Sequence, residues 1–146
     1  GYNMLLNKAD IDVVKPMLVS YLDNYIKKCD KAILLSYSDE LTKKIIDTRD
    51  KHDRAVFLMY AKLFTHSQTE PELVDELTEE DYRNLAMIFD YAQKQNAKLA
   101  NEIFNITQDD KLYLKVKSEG VAQMEAYNRI MTFFKKVKEY RNQGLM

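Results

Sequence analysis

The side chains able to do acid–base, nucleophilic or metal chemistry are few and far apart: His52, His66 and a single cysteine, Cys29, in 146 residues. A metal centre built inside a helical bundle takes Glu-x-x-His pairs from facing helices, and the chain contains no such pair. His52 has Thr48 and Val56 as its neighbours four residues away, neither a useful ligand, and so reads as a packed histidine at the edge of a core. His66 falls near a predicted helix C-terminus, where a protonated imidazole would complement the helix dipole. Cys29 would need a neighbouring base to become a reactive thiolate, and none adjoins it in the sequence, so it reads as structural.

Phosphate and hydrolase signatures are missing as well. With three glycines in all, the chain has no G-x-x-x-x-G-K loop and no G-x-G-x-x-G turn to cradle phosphates, and neither H-E-x-x-H nor G-x-S-x-G occurs. Carboxylate pairs are common in a chain with 31% charged residues, but nothing places one in a pocket where its pKa would rise. The expectation is a protein that is not an enzyme and implies no cofactor and no metal.

The elements that would carry any site follow from the scarcity of breakers. Three glycines and two prolines leave little to interrupt helices, and the length suits one domain over residues 1–146. The predicted fold is all-α, an antiparallel bundle of about four long helices plus one short helix. Residues 1–10 read as an irregular lead-in, with Gly1 to Asn3 ahead of Met4 resembling an added remnant. No apolar run approaches the roughly 18 residues of a membrane span, and a lone cysteine suits a reducing compartment, so a cytoplasmic protein that does not enter membranes is expected.

The first helix is predicted to begin at Asp12 as N-cap, because Pro16 then falls in the first turn, where its missing N–H removes no intrahelical bond. Ser38 is the expected cap of a second helix reaching His66, with a seam Leu41, Ile45, Thr48, His52, Ala55, Met59 and Lys62, widened by Val56, Leu58 and Leu63. Thr69, Pro71 and Glu72 suggest a short helix before Thr78, which caps a third with Glu79, Glu80 and Asp81 in its first turn. Seven acid-first pairs four residues apart, among them Asp23/Lys27, Asp90/Lys94 and Glu125/Arg129, support these helices.

The stretch after Asn105 admits two readings. Thr107 with Asp110 resembles a capping box opening one helix of about 35 residues, whose face Tyr113, Val116, Gly120, Met124 and Tyr127 stays in phase. Against it, Leu112 to Lys117 alternates apolar and polar residues, which would make a small β-hairpin over 105–117. The unbroken phase across Gly120 favours the helix.

Charge is unevenly spread although the formal net value is −1: Glu70 to Asp81 holds seven acids and no Lys or Arg, while Lys111 to Arg141 holds eight bases against three acids. Acids at the start of the third helix oppose a specific DNA-binding reading, since a recognition helix enters the groove by that end. On the last helix Tyr127, Ile130, Met131, Phe133, Phe134, Val137 and Tyr140 cover about half the circumference, more than one neighbouring helix needs. This arc is the candidate partner-binding surface, unless the helix is central to its own bundle. The function expected is non-enzymatic protein–protein interaction of a regulatory or adaptor type, with another protein or a second copy of the chain. The alternative is a small-molecule sensor holding an apolar ligand in a cavity between helices; a nucleic-acid contact through the basic last helix ranks below both.

Overall fold

The computed structural model describes residues 4–144. Four long helices account for nearly all of it: α1 (Lys8–Leu34), α2 (Asp39–His66), α3 (Glu79–Thr107) and α4 (Asp110–Asn142), with a single 3₁₀ turn at Pro71–Leu73 between α2 and α3. There is no strand among the described residues, so the 105–117 stretch is helical and the hairpin reading is set aside.

Local chemistry explains most boundaries. Ser38 caps α2 by accepting a hydrogen bond from the Leu41 amide, and Thr78 and Asp81 form a reciprocal capping box at the start of α3. The break between α3 and α4 lies one residue inside the predicted long helix: Gln108 takes a left-handed conformation, φ 55°, and Asp109 rather than Thr107 caps α4 by accepting from Lys111 N and Leu112 N. Thr107 instead ends α3, where its hydroxyl bonds the Ile103 carbonyl.

The start of α1 departs from the sequence reading. Asn7 is the N-cap, accepting from Ala9 N, so residues 8–10 belong to the helix rather than to an irregular lead-in. Leu6 is buried and its amide donates to the His66 carbonyl at 2.9 Å, which ties the preceding segment down. Pro16 therefore lies inside the helix. It is exposed, as is Asp12, so the carbonyl it leaves unbonded can be satisfied by water. The suggestion that Gly1 to Asn3 are an added remnant lies outside the described residues.

Helices α1 and α3 run one way and α2 and α4 return. All four pack together only along half of each: Ile11, Val14, Leu18 and Leu22 of α1, Val56, Met59 and Leu63 of α2, Leu85, Ile88 and Phe89 of α3, and Ile130 and Phe134 of α4 form one core. Beyond this base the chain continues as two hairpin arms. The α1–α2 arm, residues 23–55, has no fully buried side chain, whereas the α3–α4 arm buries Ala100, Val116 and Gly120.

The α3–α4 arm is drawn close by Gly120. A β-carbon there would overlap the Asn96 side chain, which reaches across to donate to the Val116 carbonyl at 2.8 Å while Gln93 donates to the Gly120 carbonyl at 2.9 Å. The in-seam asparagine thus bonds the facing helix's backbone and fixes register, as a polar seam residue can.

Candidate functional site

The seven residues of the α4 arc are placed by the base. Ile130, Phe134 and Val137 are buried, and Tyr127, Met131, Phe133 and Tyr140 are half-buried. Tyr127 packs on Phe89 with ring centroids 4.6 Å apart, and Phe134 lies edge-on to His66 at 4.9 Å and to Tyr82 at 6.3 Å. The broad arc is accounted for by α4 packing against both α3 and α1 of its own bundle. A partner could reach it only at the margins of the half-buried rings.

The same region orders the α2–α3 connection. His66 is fully buried, its Nε2 donating to the Asp75 carbonyl at 3.2 Å and its Nδ1 buried without a hydrogen-bond partner. Burial pushes its pKa down, the Asp75 hydrogen bond opposes this, and the nearby Arg141 guanidinium adds to the depression. The imidazole is thus held neutral, and the dipole-complementing role expected of a charged His66 does not apply. Arg141 itself donates to the Pro71 and Val74 carbonyls and pairs with Glu76 at 3.1 Å, clamping the connection to the end of α4. His52, as expected of a packed histidine, is half-buried, with Tyr21 Oη 2.7 Å from its Nε2.

A free apolar face lies on α2. Its buried line is Val56, Met59, Leu63 and His66: Met59 of the predicted seam and Val56 and Leu63 of its widened stripe are buried, whereas Ala55 and Lys62 are half-buried and Leu58 is exposed, because at 3.6 residues per turn a four-and-three ladder begun at Leu41 drifts around the helix. The rotation leaves a second apolar face outside. On a helical wheel Phe57, Ala61, Phe64 and Leu58 share an arc of about 120° opposite Met59 and Leu63. Phe57, Leu58 and Phe64 are 52%, 57% and 47% exposed. A helix apolar on all sides is normally covered on all sides.

Beside this face runs a groove of about 630 Å³. Its floor is Ala55, Leu58, Ala61 and Thr65, and its wall is Leu73, Val74 and Asp75 of the connection with Thr78 and Glu80 at the start of α3. Leu73 is 75% exposed. The one cation among the lining residues, Lys62, is engaged by Asp81 at 2.7 Å and by the Glu76 carbonyl at 3.5 Å. Burial would raise the Asp81 carboxyl, but the Lys62 ammonium and the Thr78 amide outweigh it and its pKa falls below the ordinary value. Among the described residues no ion pair reaches Glu72, Asp75, Glu79 or Glu80.

Sequence reasoning saw the parts of this groove separately, as a widened stripe on α2 and an acidic pole at 70–81. Nothing in the sequence says that the connection folds back along α2. The basic pole of α4 is partly engaged within the chain: Arg129 donates to Oδ1 of buried Asp10 from Nη2 at 2.9 Å and from Nε at 3.0 Å, with Nε also 3.2 Å from Oδ2, and Arg141 holds the connection. No helix among the described residues is long and apolar enough to cross a membrane. No protein-family model, curated protein or solved structure matches this chain.

Proposed function

We propose that the protein is non-enzymatic and acts by binding another protein through the outward face of α2 and the adjoining groove. The observation that carries this reading is the exposure of Phe57, Leu58 and Phe64 on one helix face with Leu73 beside it. Single exposed apolar residues are ordinary, but a contiguous set beside a groove marks a contact surface. The sensor alternative is less well supported, because the space between the helices of the base is filled by Val14, Val56, Met59, Leu63, Leu85, Ile88 and Ile130, each fully buried. An adaptor or regulator in a reducing, cytoplasmic setting is consistent with the lone Cys29.

The test separates association from folding. Phe57→Ser combined with Leu58→Ser removes exposed side chains, so the melting temperature should move by no more than about 2–4 °C, as for surface changes worth under about 1 kcal/mol. Native mass spectrometry of protein gently isolated from its own cells should show a complex with the unaltered chain and lose it with the double variant. A chain that remains a bare monomer in both preparations sinks the reading.

A further inference from the structure

The groove also constrains what can occupy it, and this inference rests on the proposed function. Its floor runs along α2 from Ala55 to Thr65, about 15 Å or three helical turns. Ala61 and Thr65, four residues apart, form a shallow row between Leu58 on one side and Phe57 and Phe64 on the other. Such a row of small side chains between larger ones accepts the ridge of a second helix. The wall of the connection, with Leu73 projecting, gives that helix a second apolar contact.

Charge narrows the occupant further. Of the seven acids between Glu70 and Asp81, Asp81 is paired with Lys62, both of them lining the groove, and Glu76 with Arg141 of α4. Of the remaining five, Asp75 and Glu80 line the apolar trough without an ion-pair partner among the described residues, and Glu70, Glu72 and Glu79 add negative charge in the same segment. Acids at the first turn of α3 are stabilised by its dipole, so Glu79 and Glu80 also serve the chain itself. Glu72 and Asp75 lie outside that turn and have no such role. An anionic occupant would be repelled along this edge, and so would an anionic lipid surface.

We infer that the groove docks a cationic amphipathic helix of at least three turns from a partner protein, with its apolar stripe on Leu58, Ala61 and Leu73 and its Lys or Arg residues toward Asp75 and Glu80. Helix-in-groove docking supplies the apolar anchors, and the acidic edge sets which helices are accepted and how fast they arrive.

The probe is a fluorescent helical peptide of about 14 residues carrying Leu at helical spacing (i, i+3, i+4, i+7) and Lys elsewhere, with a twin in which every Lys is Glu. The Lys peptide should bind at least about tenfold more tightly at low salt, and the preference should shrink as salt screens the edge. Amide shifts should concentrate in 55–65 and 72–80. Leu58→Ser with Leu73→Ser should weaken binding about tenfold or more, and neutralising Glu72, Asp75, Glu79 and Glu80 to Gln should erase the preference between the peptides. Equal binding of both peptides at these residues overturns the cationic partner while leaving the groove as a helix-docking site. Shifts confined to other surfaces, or no binding of either peptide, overturn the docking reading as well. Concentration-dependent self-association lost with Leu58→Ser would assign the groove to a second copy and overturn the inference of a partner protein.

Discussion

The base and the arms of this molecule are made from the same four helices yet are held together differently. In the base each helix meets more than one neighbour, and residues such as Leu63, Leu85 and Ile130 are completely enclosed. In the arms each helix has one partner, and polar and aromatic side chains share the seam with small or aliphatic ones such as Ala100 and Val116. The two arms differ again: α3–α4 is brought to close approach by Gly120 and Asn96, while α1–α2 relies on Tyr21, Tyr25 and His52 and on the Arg49–Asp30 pair at 3.6 Å. Two-helix contact supplies too little burial to enclose a large side chain, so stability should be graded from base to tip.

The largest effect should come from emptying the base. Phe134→Ala removes a ring packed on His66 and Tyr82 and should cost about 3–5 kcal/mol in urea unfolding. Next is the tight arm: Gly120→Val must push Asn96 away and part α3 from α4, at about 2–3 kcal/mol, although valine is the better helix former. Pairing it with Asn96→Ala should recover part of that loss, and simple additivity would mean that the two sites do not touch.

Acidification probes the latch between base and connection. The folded pKa of His66 lies below its ordinary 6.5, so the neutral ring's contribution is complete above about 6.5 and is lost as pH falls from there toward the folded value. His52 is depressed in the same direction, chiefly by burial, and adds to the slope. Unfolding free energy should therefore drop between pH 7 and 5, and His66→Gln should flatten that drop; an unchanged slope would remove His66 from the account. The smallest effect is expected in the open arm, where Arg49→Ala should cost no more than about 1 kcal/mol, since Asp30 is largely exposed. Hydrogen exchange should show the amides of 23–55 opening well before those of the base, with the α3–α4 arm between them.

Much of the fold is legible from local chemistry. Ser38, and Thr78 with Asp81, mark helix starts because a side-chain oxygen three residues from an unbonded amide caps it wherever the chain goes. Asp12 misleads for the same reason that Asn7 succeeds: both can cap, and Asn7 prevails because the longer helix brings Asp10 to Arg129 and lets the Leu6 amide bond the His66 carbonyl. The turn at Gln108 has no glycine or asparagine to announce it, and its left-handed residue is held by the helices on either side. Of the acid-first pairs, Asp23–Lys27 and Asp90–Lys94 close at 2.9 Å, whereas Arg129 turns from Glu125 to the better-desolvated Asp10.

The sequence by itself determined that this chain makes long helices, where two of the four start, and that the common catalytic signatures are missing, because capping, glycine scarcity and helical spacing act within a few residues. Which face of α2 is inside was left to the tertiary structure. Periodicity identifies an apolar face only up to rotation, and on α2 between Ala55 and Phe64 nearly every side is apolar. Packing against α1 and α3 and the base of α4 chose Val56, Met59 and Leu63 for the core. The same choice left Phe57, Leu58 and Phe64 outside, beside an acidic connection that the sequence places far from them.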